Sequence, residues 1–296
     1  MAQSPAHRFG QIIGDLLEAA LRPLLEQIAA EHELFLDHKH PRAARGGKCK
    51  VAWRDHRGNE HDLDYVLEHG GSEVTVGRPK AFIEIAWRRY TKHSRNKAQE
   101  IQGAIMPLAE TYRDARPFLG VVLAGVFTEG SIAQLRSHGF QVVYFSYESM
   151  VAAFKRVGID ARFDEDTSDA AQQRRVRALE AIDGPAKARL ARTLRNVHKK
   201  SLDEFLDALR SALRRELKTI RIIPLHGSPT DVRSVGEAVA FLEAYDESGS
   251  VAQFVKFEIQ VRYTNGDEIR GEFQSKREAL AFLKTIVESS SRDVRS

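Results

Sequence analysis

Two short apolar segments, each carrying carboxylates, constrain the fold of this chain more than any other feature. Residues 61–67 contain Asp62 and Asp64, and residues 82–87 contain Glu84. Both segments have the length and composition of β-strands. Glu84 is framed by large apolar side chains, and an unpaired buried carboxylate is costly. We therefore expect Glu84 to have a metal ion, a basic partner or a raised pKa.

A dense cationic run follows the second segment directly. It includes the candidate phosphate contacts Arg88, Arg89, Lys92 and Arg95. Carboxylates are ligands that Mg²⁺ prefers, and cationic side chains bind phosphate. The combination predicts metal-dependent cleavage of a nucleic-acid backbone. The alternative is purely structural, with solvated strand acids followed by a solvated loop and helix start.

The composition is that of an ordinary globular protein with a mild basic excess. A length of 296 residues favours two domains, and the formal net charge of +4 is compatible with nucleic acid as a partner. Cys49 is the single cysteine, which excludes an intrachain disulfide and a cysteine-rich zinc site. Neither a signal peptide nor an apolar stretch of the ~18 residues that span a membrane is evident. These features predict a cytoplasmic protein without a membrane partner.

The hydrophobic pattern over residues 1–160 predicts the order α-β-β-β-α-β-α-β-α. The two longest helices are expected at 9–36, with a bend or break at Pro23, and at 94–113, with Ser94 as its N-cap. Strands are expected at 48–54, 61–67, 81–87, 118–126 and 141–145. The first two of these strands should form a hairpin through the turn at residues 57–59. This order predicts an α/β fold with helices on the faces of a mixed sheet.

The remaining sequence suggests two further parts. Within residues 161–218, the sequence predicts a charged linker at 163–173 followed by a helical segment. The surface of that segment is expected to be an ordinary charged one, because Asp203, Glu204 and Asp207 accompany its many basic residues. Residues 219–296 predict a small α+β domain with a hairpin turn at Asn265–Gly266. The segments that begin at Ser234 and Ser275 resemble each other. Either a duplicated strand–helix element or chance reuse of the same helix-start pattern explains this resemblance.

The strand order and its carboxylates resemble the PD-(D/E)XK nuclease superfamily, which includes many restriction endonucleases, the Mrr-like enzymes and repair nucleases. The resemblance covers residues 9–146 and implies an αβββαβ restriction-endonuclease-like core. Asp64 matches the aspartate of the second strand, and Glu84 matches the acid of the E-x-K element on the third. Glu18 resembles the first-helix glutamate that approaches the metal site. The resemblance implies Mg²⁺, with Mn²⁺ as an alternative.

Two points add to the set of candidate site residues. Side chains alternate along a strand, so Asp62 shares a face with Asp64 and becomes a further candidate metal ligand. Ala86 stands where the E-x-K element has its lysine. We expect Lys97, in the first turn of the following helix, to supply that cation. Lys92 and Lys80 are weaker candidates, and Lys80 is about 13 Å along the strand from Glu84.

The expected function is that of a Mg²⁺-dependent DNA endonuclease of restriction or defence type. Its C-terminal half would confer target choice or assembly. A homodimer, a partner methyltransferase and a partner helicase all fit this expectation. The alternatives are a catalytically inactive nucleic-acid-binding or scaffolding protein on the same fold, and a nuclease for RNA or modified DNA.

Overall fold

The computed structural model describes most of the chain as two compact units, Met1–Arg210 and Ser211–Ser296. The described residues are 4–89, 91–113, 115–162, 167–214, 217–224, 228–247, 254–264 and 268–292, of which 91–94 and 287–292 are described without their side chains.

Unit 1 alternates helices and strands in its first part and is helical in its last part. Its helices are α1 (Pro5–Glu31), α2 (Thr91–Thr111), α3 (Glu129–Ser137), α4 (Tyr147–Lys155), α5 (Asp169–Glu180), α6 (Gly184–Val197) and α7 (Lys199–Leu213). Its strands are β1 (Phe35–His38), β2 (Val51–Arg54), β3 (Glu60–Leu63), β4 (Tyr65–His69), β5 (Arg78–Arg88), β6 (Phe118–Gly125) and β7 (Gln141–Ser146).

A five-stranded sheet in the order β1-β4-β5-β6-β7 forms the centre of unit 1. β1, β4 and β5 pair antiparallel, whereas β5, β6 and β7 pair parallel. β2 and β3 form a separate hairpin. The α/β class with a mixed sheet is therefore confirmed. No helix among the described residues has both the length and the apolar composition needed to cross a membrane.

Two of the boundaries that were predicted wrongly involve the strands next to the carboxylates. The first helix ends at Glu31 rather than at residue 36, because Glu33 adopts a left-handed φ of 52° and the chain then forms β1. The predicted strand at 61–67 is two strands. β3 pairs with β2, β4 joins the sheet, and the chain bends between them at Asp64.

Pro23 does not bend or break α1 into two helices. The helix runs through it from Pro5 to Glu31. Proline removes one backbone hydrogen bond, to the carbonyl of Ala19. Both Pro23 and Ala19 are exposed, so water satisfies that carbonyl.

The three helices after residue 168 belong to the packed part of unit 1. α5 and α6 lie against α1, and α6 also lies against α4. Residues 169–173, which were expected to be linker, form the start of α5, and the Ser168 side chain caps it by accepting from the Ala171 amide. Residues 163–166 of the predicted linker lie outside the described residues.

Unit 2 consists of two consecutive strand–strand–helix segments. The first is β8 (Leu217–Pro224), β9 (Thr230–Val232) and α8 (Val235–Ala244), and the second is β10 (Phe257–Tyr263), β11 (Glu268–Phe273) and α9 (Lys276–Arg292). They form one sheet in the order β11-β10-β8-β9. Ser234 and Ser275 cap their helices through the amides of Glu237 and Glu278 respectively. The predicted turn at Asn265–Gly266 lies outside the described residues.

A fully buried ion network secures the loops at one end of β1 and β4. The Arg42 guanidinium contacts Glu68 at 2.6 Å and Asp37 at 2.8 Å, and all three side chains have no exposed surface. Arg42 also donates to the carbonyls of Ser72 and Thr75, at 2.7 Å each. The network therefore attaches the segment after β1 and the loop between β4 and β5 to the sheet.

We expect Arg42→Met to lower the free energy of unfolding by about 3–5 kcal/mol, because it leaves two carboxylates buried without their main partner. Urea denaturation followed by circular dichroism measures the change. Arg54→Gln is the control, since it breaks an exposed pair with Glu60 and should change stability by less than about 1 kcal/mol. Equal effects of the two substitutions would contradict a structural role for the buried network.

Candidate active site

The pairing of β4 with β5 brings Asp64 next to Glu84. Asp64 directly precedes β4, whose first residue, Tyr65, pairs with Ile83. The Asp64 Oδ2 atom accepts a hydrogen bond of 2.6 Å from the Ile85 amide. That bond fixes the carboxyl group of Asp64 against the strand that carries Glu84.

Lys97 on α2 contacts Glu84 directly. The Lys97 Nζ atom lies 3.2 Å from Glu84 Oε1, with side-chain exposures of only 18% and 13%. The other oxygen, Glu84 Oε2, is buried and has no hydrogen-bond partner among the described residues. Glu84 therefore has one satisfied oxygen and one that is available to a further donor or cation.

The position on β5 at which the resemblance has a lysine is a core position in this chain. Ala86 is buried in the same apolar cluster as Ala98 and Ile101 of α2. This close packing brings α2 over the strand, and Lys97 precedes Ala98. α2 begins at Thr91, so Ser94 lies within the helix rather than at its N-cap, and Lys97 lies in the second turn rather than the first.

Glu18 of α1 lies near the same carboxyl groups. The Tyr65 hydroxyl donates to the backbone carbonyl of Glu18 at 2.9 Å, which attaches α1 to the start of β4. Lys39, which follows β1, acts on both Glu18 and Asp64 through its positive charge. Sequence reasoning missed Lys39, because β1 was assigned to the end of the first helix and no chain element was expected there.

The carboxyl groups of this site all hold their protons more tightly than usual. Burial, followed by the charge of Asp64, raises the pKa of Glu84 to about 8, against the opposing effect of Lys97. Burial also raises the pKa of Asp64, although the Ile85 amide, Lys97 and Lys39 act in the other direction. Burial and then the charges of Asp64 and Asp15 raise the pKa of Glu18 to about 7. Burial is thus the main reason that these carboxyl groups resist ionisation.

The structure does not bring Asp62 into this group. Because the chain bends at Asp64, the strand alternation that related the two aspartates does not hold. Asp62 is half exposed on β3, and its carboxylate pairs with Lys50, which directly precedes the adjacent hairpin strand β2.

The predicted phosphate contacts lie after Glu84 but differ in accessibility. The Arg88 guanidinium lies 3.4 Å from Glu100, and Arg95 is exposed. The terminal guanidinium nitrogens of Arg89 are buried, which removes them from direct contact with a surface ligand. The side chain of Lys92 lies outside the described part of the structure, and Lys80 lies near the start of β5, four residues before Glu84.

Comparison with known proteins adds no family to this description. No family model, curated protein or solved structure matches the chain. Within the described residues, no three His, Cys, Asp or Glu side chains are arranged as a group that could hold a metal ion. The geometry of Asp64, Glu84 and Lys97 is therefore the main evidence on function.

The raised pKa values predict that the metal-free protein loses stability as the pH rises from about 4.5 to about 8. In that window the folded state binds more protons than the unfolded state, so the free energy of unfolding falls with increasing pH. Glu84→Gln stays neutral, so it should be more stable than wild type at a pH above 8. The expected gain in the free energy of unfolding is at least about 1 kcal/mol, which is less than a shift of one pKa unit represents. Urea denaturation in EDTA at several pH values measures this difference.

Asp62→Asn is the matched control for that measurement, because it also removes a strand carboxylate but from an exposed ion pair. Its stability should follow the wild-type pH dependence within about 1 kcal/mol. A Glu84→Gln variant less stable than wild type at high pH would show that the ionised Glu84–Lys97 pair stabilises the fold.

Proposed function

We propose that this protein is a Mg²⁺-dependent DNA endonuclease of restriction or defence type. The observation that carries the proposal is the hydrogen bond that holds the Asp64 carboxyl group beside Glu84 on β5, together with the contact of Lys97 with Glu84. This arrangement combines two potential metal ligands with one cation near where a phosphate would bind. In this proposal unit 2 serves target choice or assembly, as a homodimer or with a methyltransferase or helicase.

The order of the elements supports the proposed class. α1, β1, β4, β5, α2 and β6 follow one another as αβββαβ, with β2 and β3 inserted as a hairpin. The three antiparallel strands and the parallel fourth strand agree with the restriction-endonuclease-like core that the sequence suggested. Asp64 directly precedes the second sheet strand and Glu84 lies within the third, close to the positions that the resemblance assigns.

The donor set fits a magnesium ion. Mg²⁺ keeps several waters and usually takes one or two protein carboxylates together with substrate phosphate oxygens, so Asp64 and Glu84 suffice. Glu84 Oε2 is buried without a hydrogen-bond partner among the described residues, and it is therefore available as a ligand. Burial raises the pKa values of Asp64, Glu84 and Glu18, and a bound divalent cation would favour their ionised forms. Mn²⁺ has similar ligand preferences.

The protein residues have distinct roles in the proposed reaction. A bound Mg²⁺ would polarise the phosphate and make a bound water more acidic. The Ile85 amide holds the Asp64 carboxyl group in place, which preorganises the site before substrate arrives. Lys97 is placed to donate to a phosphate oxygen as negative charge develops there, once it releases Glu84 Oε1. Lys39 adds a second positive charge near Asp64.

A specific observation favours the second candidate, a nucleic-acid-binding protein without nuclease activity. Ala86 is buried in the core, and the nearest lysine of α2 forms an ion pair with the very carboxylate that would bind the metal. A permanent Lys97–Glu84 pair would serve the fold and not a reaction. Cleavage assays decide between the two candidates.

We expect purified protein to nick plasmid DNA in the presence of Mg²⁺ or Mn²⁺ and to lose this activity in EDTA. Asp64→Asn and Glu84→Gln should each abolish cleavage, because each replaces a charged ligand with a neutral amide of the same shape. Asp62→Asn should cleave normally, since its carboxylate pairs with Lys50 away from the site. Agarose gel electrophoresis measures the conversion of supercoiled plasmid. DNA binding without any cleavage would support the second candidate.

We expect Lys97→Ala to reduce the cleavage rate by about 10²-fold or more, comparable with the loss of one preorganised donor to a developing oxyanion. Lys97→Arg should recover part of the rate, because it keeps the positive charge. Single-turnover kinetics separate this effect from DNA affinity, which should change little. Normal cleavage by Lys97→Ala together with loss in Lys80→Ala or Lys92→Ala would assign the cation to a different lysine.

A further inference from the structure

α6 carries a basic surface that is distinct from the carboxylate site. Residues 184–202 contain six lysines and arginines and no aspartate or glutamate. The acidic residues that made this region look like an ordinary charged surface in the sequence belong to the next helix, α7. The basic side chains on α6 itself are Lys187, Arg189, Arg192 and Arg195.

The packing of α6 turns these cations to the solvent. Ala186, Leu190 and Leu194 form its buried stripe against α1 and α4. Lys187, Arg189 and Arg192 are exposed, and Arg195 is half-buried. One face of α6 therefore fixes the helix in unit 1. Arg189, Arg192 and Arg195, three residues apart, form a row of positive charge on the other face, and Lys187 lies at the border of the buried stripe.

The charges on α6 are not neutralised within the described residues. None of its four basic side chains has a carboxylate within ion-pair distance there. α7 behaves differently, because Lys199 pairs with Asp203 and Lys200 with Glu204, each one turn along the helix. The two adjacent helices thus offer an uncompensated and a compensated cationic surface on the same unit.

Contacts within unit 1 attach the end of α6 to α4, and through α4 to β5. His198 follows the last residue of α6, and its Nε2 atom lies 2.7 Å from the Ser149 hydroxyl of α4. The Tyr147 ring at the start of α4 contacts that of Trp87, three residues after Glu84, with centroids 6.3 Å apart. Because side chains alternate along a strand, Trp87 and Glu84 lie on opposite faces of β5, so the α6 surface is separate from the carboxylate site.

We propose that α6 binds the phosphate backbone of duplex DNA outside the active site and holds the duplex against unit 1. The choice of DNA as the partner rests on the proposed function. Charge complementarity identifies the ligand as a polyanion, because the four basic side chains of α6 have no carboxylate partner among the described residues.

The signature of this surface is the salt dependence of binding. Each phosphate neutralised by a protein cation contributes about 0.9 to the slope of log affinity against log salt concentration. Arg189→Gln/Arg192→Gln should therefore lower the magnitude of the slope by about 2 and weaken binding of any DNA sequence. Glutamine is a good helix former, and both positions are exposed, so the fold should be preserved.

The experiment measures binding of full-length protein to a fluorescein-labelled DNA duplex by anisotropy, in EDTA, from about 50 to about 200 mM salt. Lys199→Gln/Lys200→Gln is the matched control, because it removes the same formal charge from lysines that are already paired. Its slope should equal that of wild type. Arg189→Lys/Arg192→Lys should also keep the wild-type slope, since phosphate contacts need the charge.

An unchanged slope in Arg189→Gln/Arg192→Gln would overturn the inference, as would an equal loss in both glutamine variants, which would reflect net charge alone. Loss of binding to phosphatidylserine vesicles with unaltered DNA binding would assign α6 to a membrane surface and also overturn it. Because EDTA prevents cleavage, the result is independent of catalysis. Loss of slope in a protein that never cleaves DNA would contradict the proposed nuclease function and leave the role of α6 intact.

Discussion

The carboxyl groups of Asp64, at the bend before β4, and of Glu84, on β5, lie next to each other in a setting too apolar to stabilise two negative charges. Burial is the largest cause of both raised pKa values, and each group receives one main compensating contact. For Asp64 this is the Ile85 amide, and for Glu84 it is Lys97. The surrounding helices and strands hold these four groups together. The proposed chemistry follows because a bound metal ion would favour the ionised forms of the two carboxyl groups.

The scaffold fixes this unfavourable arrangement from several sides. Tyr65 attaches α1 to the start of β4, and the tight packing of α2 on Ala86 brings Lys97 over β5. At the other end of β4, Glu68 belongs to the buried network of Arg42. β4 is thus anchored at both ends, which keeps Asp64 in place. The packing of the rest of the unit offsets the free-energy cost of burying the Asp64 carboxyl group.

The sequence predicted the parts of the site that depend on local patterns. Asp64, Glu84 and Lys97 were identified because carboxylates within apolar strands are unusual and because a cationic helix follows β5. The bend at Asp64 was not predictable, since an alternating apolar pattern continues through it from β3 into β4. β1 was missed because its apolar residues continue the helical spacing of α1, and Lys39 was missed with it. The distinction between α6 and α7 needed the structure, because the sequence pattern predicted one helical segment there and did not place the boundary between the two helices at His198.

Binding of Mn²⁺, followed by electron paramagnetic resonance, tests the central claim most directly, because it asks whether the carboxylates form a cation site without requiring a substrate. The account predicts that wild-type protein binds Mn²⁺, that Mg²⁺ displaces it, and that Asp64→Asn and Glu84→Gln each remove the binding, whereas Asp62→Asn does not. Carboxylates must lose their protons to bind a metal, so binding should strengthen as the pH rises through about 8. Equal Mn²⁺ binding by wild type and the Asp64→Asn/Glu84→Gln double variant would contradict the account.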